Sequence, residues 1–390
     1  MITNIKNQPS LFQIFMDFLR LGLTAFGGPS MVAYIRKLAV DRKGWLSAAE
    51  FSDGVAFCQM IPGATAMQTA AYVGLHLRGV AGAAASFIGF GLPAFAMMLL
   101  FATVYVQTGS LPAVVSAFSG LQAVVIAIVV NAIVSFGKTT VKTWKYGLIS
   151  TAAFLLFYGA VHPLLVILAA AGLGWLILPL PDAAEIQDNK TTVTPLYKRS
   201  LIFILVIGAV GLAIVYLFSS DLFSLALLML RVDLMAFGGG FASVPIMYHE
   251  VVEINHWLSG PTFMNGIILG QATPGPVVIT ATFIGYLIKG LLGAMIATIC
   301  IFLPSFLLVV GVSPFFNRLS QSPTFHKIIR GVLCSFVGLL VSVAIRFGLQ
   351  VQWDLIHIFL AVGALAALFR KVDILWVVLA GTILSIILIR

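Results

Sequence analysis

Charged side chains are scarce in this chain. Of its 390 residues, 9% are Asp, Glu, Lys or Arg and 61% are hydrophobic, whereas a soluble domain carries about 25% charged residues. So few charges cannot cover a water-facing surface, which excludes a soluble globular protein. Cysteine is scarcer still. Cys58, Cys300 and Cys334 stand far apart, with no CxxC pair or metal spacing, so neither a disulfide framework nor a cluster is expected. The histidines, His76 and His162 among them, are unclustered and HExxH is absent, so no metal site is expected. No cofactor motif and no nucleophile–base set can be read along the chain. An intramembrane enzyme is therefore not expected. Acids are few, 13 against 22 bases. The bases sit in short groups between apolar runs, as topology signals do, and no soluble basic domain exists to bind nucleic acid.

What is abundant is apolar sequence, with a mean hydropathy of +1.09. Apolar segments fall at roughly 11–35, 46–77, 80–107, 112–136, 145–160, 163–179, 200–219, 222–247, 262–288, 291–312, 328–347, 353–369 and 372–389. Runs of about 20 residues span a ~30 Å hydrocarbon core as helices. The expectation is an all-α, polytopic protein of a lipid bilayer. The first run contains Asp17 and Arg20 and lacks a small-residue cleavage site, so it reads as a retained segment. The longest polar stretch, "PLPDAAEIQDNKTTVTPLYKR", reads as a linker at 179–199. It separates a repeat over 1–178 from a second over 200–390, which has an extra helix at 200–219.

The repeat is visible in detail. "LRLGLTAFGGP" (19–29) returns as "LRVDLMAFGGG" (230–240), and "WLSAAEFSDGVAFCQMIPGA" (45–64) returns as "WLSGPTFMNGIILGQATPGP" (257–276). Gly79, Gly82, Leu92, Pro93 and Phe95 then match Gly290, Gly293, Leu303, Pro304 and Phe306, and Phe136-Gly137 matches Phe347-Gly348. Arg20 and Arg231 lie 231 − 20 = 211 residues apart. Lys and Arg alternate between equivalent loops. Arg36, Lys37, Arg42 and Lys43 face a counterpart at 247–257 with none; 107–112 has none against Arg318, Lys327 and Arg330. Lys138, Lys142 and Lys145 face Arg346 alone, and 159–163 has none against Arg370 and Lys371. Positive-inside counting then makes the copies an inverted repeat of the secondary-transporter kind. The same charges put 36–43 and Arg78 on one side, so segment 46–77, ~48 Å as a helix, should enter and return. At least one of 200–219 and the two glycine-motif segments must then lie in the interface or re-enter.

Helices break at matching places: Gly27-Gly28-Pro29 with Gly238-Gly239-Gly240, and Pro62-Gly63 with Pro274-Gly275. Irregular backbone at membrane depth is tolerated only inside protein or beside a wet cavity. The N-termini of half-helices suit anions, with Thr273 able to cap one near Pro276. Gly-Gly packing and a Pro-Gly kink are the plain alternatives. Arg20, nine residues into its segment, has Arg231 as its equivalent and lies two turns from Gly27, on one helix face. Asp17 can neutralise Arg20 locally; Asp233 cannot do so for Arg231. The expectation is a central anion site to which each copy gives an arginine. Gln59 and Gln271 are neutral donors beside the breaks or, equally, helix-end groups. Glu50, Asp53, Asp17 and Asp233 are candidates for proton passage or simply solvated acids.

At these residues the sequence resembles the chromate transporter family in its long two-domain form. The resemblance covers nearly the whole chain apart from the linker. It implies a multi-pass protein of the bacterial inner membrane that exports chromate, with proton exchange the usual coupling. Sulfate, another tetrahedral dianion, is an open alternative substrate, pairing into a homodimer is open, and a structural or regulatory membrane module is the alternative of another class.

Overall fold

In the computed structural model, residues 9–26, 31–180, 197–316 and 321–389 are described. Among them are fifteen α-helices and no strand. The first repeat contributes α1 (Leu11–Thr24), α2 (Met31–Arg36), α3 (Ala48–Met60), α4 (Thr65–Thr108), α5 (Pro112–Thr140), α6 (Trp144–Tyr158) and α7 (Pro163–Ile177). After α8 (Tyr197–Phe218), the second contributes α9 (Ser220–Met235), α10 (Gly240–Tyr248), α11 (Gly260–Ala272), α12 (Thr280–Val312), α13 (Pro323–Gln350), α14 (Leu355–Phe369) and α15 (Ile374–Leu388). The correspondence is helix for helix, and α8 is the extra one. Even a π-helical turn recurs, at Lys37–Arg42 after α2 and at His249–Ile254 after α10.

Local chemistry sets the helix starts. Ser47 and Glu50 form a reciprocal capping box on α3, Ser10, Ser219, Ser322, Asp354 and Asp373 cap α1, α9, α13, α14 and α15, and Pro opens α5, α7 and α13. Among the described residues, five helical stretches are long and apolar enough to cross a membrane: Thr65–Thr108, Pro112–Thr140, Leu201–Phe218, Val277–Phe315 and Pro323–Gln350. The expected segments 11–35 and 222–247 are each divided. α1 stops at Thr24 and α9 at Met235, ahead of the glycines. The expected shared face of Arg20 and Gly27 falls on Gly27, which with Gly28 lies outside the described residues.

Contacts divide the chain into two compact units that cut across the repeats. Unit 1 draws on Met1–Leu99, Asn189–Gly240 and Thr273–Asn317; unit 2 on Leu100–Asp188, Phe241–Ala272 and Arg318–Arg390.

In unit 1, α3 and the start of α4 form a helical hairpin. A Cβ on Gly54 would strike the Tyr72 ring, and Phe57 and Tyr72 rings lie 6.1 Å apart. These pairs centre on Gly63, so the Pro62-Gly63 turn is the hairpin tip, as expected for a segment that enters and returns. The chain reverses again at Arg78-Gly79, where Gly79 has φ +61°. Gly74 and Gly82 touch across this turn, although residues eight apart in a straight helix lie ~12 Å apart. Lys289-Gly290 repeats the turn in α12. There Gly285 meets Gly293, and Thr282 and Thr298 hydroxyls lie 2.7 Å apart. α1 packs on α4 through Gly22, whose added Cβ would lie 2.5 Å from the Phe90 carbonyl oxygen. α12 and α8 pack on α9.

In unit 2 the packing partners are exchanged between repeats. α5 packs against α14 and α15 of the second copy, and α13 packs against α6 and α7 of the first. Small residues permit the close approach, Gly174 on Gly331 and Gly338 on the Ser150 carbonyl, as in membrane helix pairs generally.

Candidate anion-transport site

Within unit 1 the helix breaks of the two repeats bond to each other. The Gly63 amide donates to the Ala236 carbonyl at 2.9 Å, and the Gly275 amide donates to the Ala25 carbonyl at 3.1 Å. Each Pro-Gly tip is thus held by the Ala-Phe-Gly stretch of the other copy. Reciprocity of this kind is the mark of a two-fold relation. Both tip glycines need positive φ, +118° at Gly63 and +125° at Gly275, as do Gly238 and Gly239 at +94° and +92°. Neither tip has room for a side chain. A Cβ on Gly63 would strike Ser305 Oγ, and one on Gly275 would lie 2.7 Å from Ala94 Cβ.

The two halves differ in chemistry at equivalent points. The Ala64 amide donates to Ser305 Oγ at 3.0 Å, and Ser305 in turn donates both its amide and its hydroxyl to Asp233 Oδ2, each at 2.8 Å. In the other half Ala94 and Gly22 stand where Ser305 and Asp233 do, and Pro276, which has no N–H, replaces Ala64. Asp233 is fully buried, and its Oδ1 has no hydrogen-bond partner. Gln68 is also fully buried; its Nε2 donates to the Pro62 carbonyl at 2.5 Å and its Oε1 is unpartnered. One oxygen of Asp233 is thus doubly hydrogen-bonded and the other is bare, and a bare buried polar atom is costly.

The other expected residues are dispersed. Arg20 and Arg231 are both exposed, so the buried group at the tips is an acid, not an arginine. Asp17 pairs with Lys43 at 2.7 Å, not with Arg20, because Lys43 approaches from outside α1. Glu50 accepts the Ser47 amide at 2.8 Å as a helix cap, and Asp53 is half-buried on the same helix. Gln59 is exposed, while Gln271 is buried with an unpartnered Nε2. Pro276, not Thr273, stands at the N-cap of the short turn Val277–Ile279 that leads into α12, since the chain stays extended through Pro276.

Sequence reading missed a second cluster, in unit 2. Asp354 Oδ1 lies 2.8 Å from His357 Nδ1, and His357 Nε2 lies 3.1 Å from Ser119 Oγ. The expected absence of a nucleophile–base set is corrected to this extent: a Ser–His–Asp chain exists. Ser119 and His357 come together from helices 238 residues apart in sequence, which no local motif reports. Nearby, Gln122 donates to Asn265 at 3.1 Å and Asn265 donates to the Tyr105 hydroxyl at 3.1 Å. Elsewhere in unit 2, Arg346 pairs with Glu253, which also holds His249 Nδ1 at 2.8 Å.

The family model described as chromate transporter matches residues 12–175 and again 223–386, two matches at the 211-residue spacing of the arginines. The chain belongs to the chromate transporter family. It is 41% identical to an uncharacterised transporter of Methanocaldococcus jannaschii over 98% of this chain and 96% of that protein. It is 31% identical to the chromate transport protein of Cupriavidus metallidurans over 97% of this chain and 93% of that one. A probable chromate transport protein of Synechococcus elongatus is 30% identical over 89% and 86% of the two chains. No solved structure matches. Membership in the chromate transporter family supports a chromate transport role for this multi-pass membrane protein, and the relatives point to transport rather than catalysis.

Proposed function

We propose that the protein is a secondary transporter that carries chromate, or a related tetrahedral oxyanion such as sulfate, out of the cytoplasm across a bacterial inner membrane. The observation that carries this reading is the reciprocal bracing of Gly63 on Ala236 and Gly275 on Ala25 in a chain of this family. Secondary transporters bind substrate at discontinuous helices where inverted repeats meet. Here Pro62-Gly63, Pro274-Gly275 and Gly238-Gly239 supply the irregular backbone, with Gln59 and Gln271 beside the tips as neutral donors. Arg20 and Arg231 act as equivalent anion-attracting charges on exposed faces of α1 and α9.

An inside-negative potential favours the outward direction by ~2.3 kcal/mol per charge per 100 mV, so a dianion gains about twice that on leaving. The basic loop Arg36, Lys37 and Arg42 would raise the local anion concentration at the cytoplasmic entrance. For proton coupling, Asp233 is the acid whose environment fits best. Asp17 and Glu50 are already engaged, with Lys43 and Ser47, and Asp53 is open to one side. A proton arriving at Asp233 Oδ1 would be felt at the tip through Ser305 and Ala64.

The test is flux into liposomes holding the purified protein, comparing chromate, sulfate and molybdate under an imposed potential and an imposed pH gradient. Potential-driven chromate movement is expected. No flux of any of the three would end the transport reading in favour of a structural module.

A further inference from the structure

Unit 2 by itself contains a cavity of about 290 Å³ lined by Ser119, Gln122, Asn265, Gln350 and His357 among others. In this measure one water needs only about 10–15 Å³, so there is room for several waters or for a tetrahedral oxyanion that keeps part of its hydration. Its lining mixes these polar groups with Val115, Phe118 and Pro261 and carries no Asp, Glu, Lys or Arg. The lining includes Gly109, Pro261 and Gln352, next to loops that carry no Lys or Arg apart from Arg346 at the edge of the last, which positive-inside counting places opposite the basic loops.

We propose that this cavity is an oxyanion site on the exit side and that a proton on His357 converts it from weak to tight binding through Ser119. The proposal rests on the anion-transport reading above and adds a second site to it. The Asp354 carboxylate can only accept, so the hydrogen in its 2.8 Å contact sits on His357 Nδ1. In the neutral ring Nε2 then accepts the Ser119 hydroxyl, 3.1 Å away, and that hydrogen is turned from the cavity. Protonation puts a hydrogen on Nε2, which now donates to Ser119 Oγ. The serine hydrogen is released toward the cavity, which gains one donor and one positive charge beside the bound anion.

No other charge facing His357 explains such a switch. α5 brings Ser119, and its lysine, Lys138, lies near the far end of the helix. α11 has no charged residue and α15 only its cap, Asp373, which accepts the Leu375 amide. The nearest charge to the cavity end of α13 is Arg346, which is held by Glu253 and the Phe157 and Tyr158 carbonyls. Tyr105 completes the titratable groups, at the end of α4. With His357 neutral the exit site lets its dianion go; with His357 protonated it holds.

The test is calorimetric titration of molybdate, a tetrahedral dianion that does not oxidise thiols, into purified full-length protein at pH 8 and pH 6. Wild type should bind about tenfold tighter at pH 6 than at pH 8, with net proton uptake on binding. His357→Gln and Ser119→Ala should lose that dependence. Gln122→Ala should weaken binding at both pH values and keep the dependence, which separates a damaged fold from a lost switch. Equal wild-type affinity at both pH values, no molybdate binding, or an unchanged pH dependence in His357→Gln overturns the proposal. Wild-type chromate flux in liposomes, measured on the same preparation, decides the transport reading separately.

Discussion

The Gly63 amide donates to the Ala236 carbonyl across 2.9 Å, so the hairpin tip of the first repeat hangs on the glycine-rich stretch of the second. A valine at Gly63 would need positive φ and would collide with Ser305. Gly63→Val should therefore abolish chromate uptake into inverted vesicles. Gly275→Val, with its closest obstacle an alanine methyl, should reduce uptake strongly while leaving more protein in the membrane. Normal uptake in both would reduce the tips to simple kinks.

Ser305 holds Asp233 with two hydrogen bonds, and hydrogen bonds to a charged group contribute ~1.5–3 kcal/mol each. Ser305→Ala is expected to lower the thermal midpoint in detergent. Asp233→Asn should keep the fold, because an amide oxygen can still accept from Ser305, yet cut pH-gradient-driven flux about tenfold or more. Potential-driven flux in Asp233→Asn should survive. If both driving forces work equally well in that variant, Asp233 is not the coupling acid.

Single cysteines at Thr139 and Gln350, both exposed at the ends of equivalent helices, should react with an impermeant thiol reagent from opposite sides of the membrane. Labelling from the same side contradicts inversion.

Arg20→Ala and Arg231→Ala should each raise the half-saturating chromate concentration several-fold, since each removes a charge that attracts the dianion. Lysine should restore most of this, because long-range attraction needs charge alone. If lysine is as poor as alanine, the guanidinium makes a directed, bidentate contact instead. An unchanged half-saturating concentration in both alanine variants makes the arginines structural.

Much of the fold was legible because its signals are periodic or local. The match of Arg20 to Arg231, of Pro62-Gly63 to Pro274-Gly275, and of the turns at Gly79 and Gly290 follows from residue order. So does the hairpin course of 46–77, from the side on which its flanking charges sit. The site was less legible. Asp17 and Arg20 are helix neighbours, but Lys43 takes the acid, because a side chain from another segment can offer a closer ion pair than one three residues along.

The sequence by itself determined a membrane-embedded, duplicated, all-α chain, since composition and loop charge report directly on transfer between water and hydrocarbon. Only the tertiary structure decided that each repeat lends its helix break to the other, and that Asp233 is buried on Ser305 while its counterpart is Gly22. Only the tertiary structure joined Ser119 to His357. The physical reason is the same in each case. Hydrogen bonds are short-ranged and directional, so whether a polar group is satisfied depends on which distant segment the folded chain brings within ~3 Å, and spacing along the sequence carries no record of that.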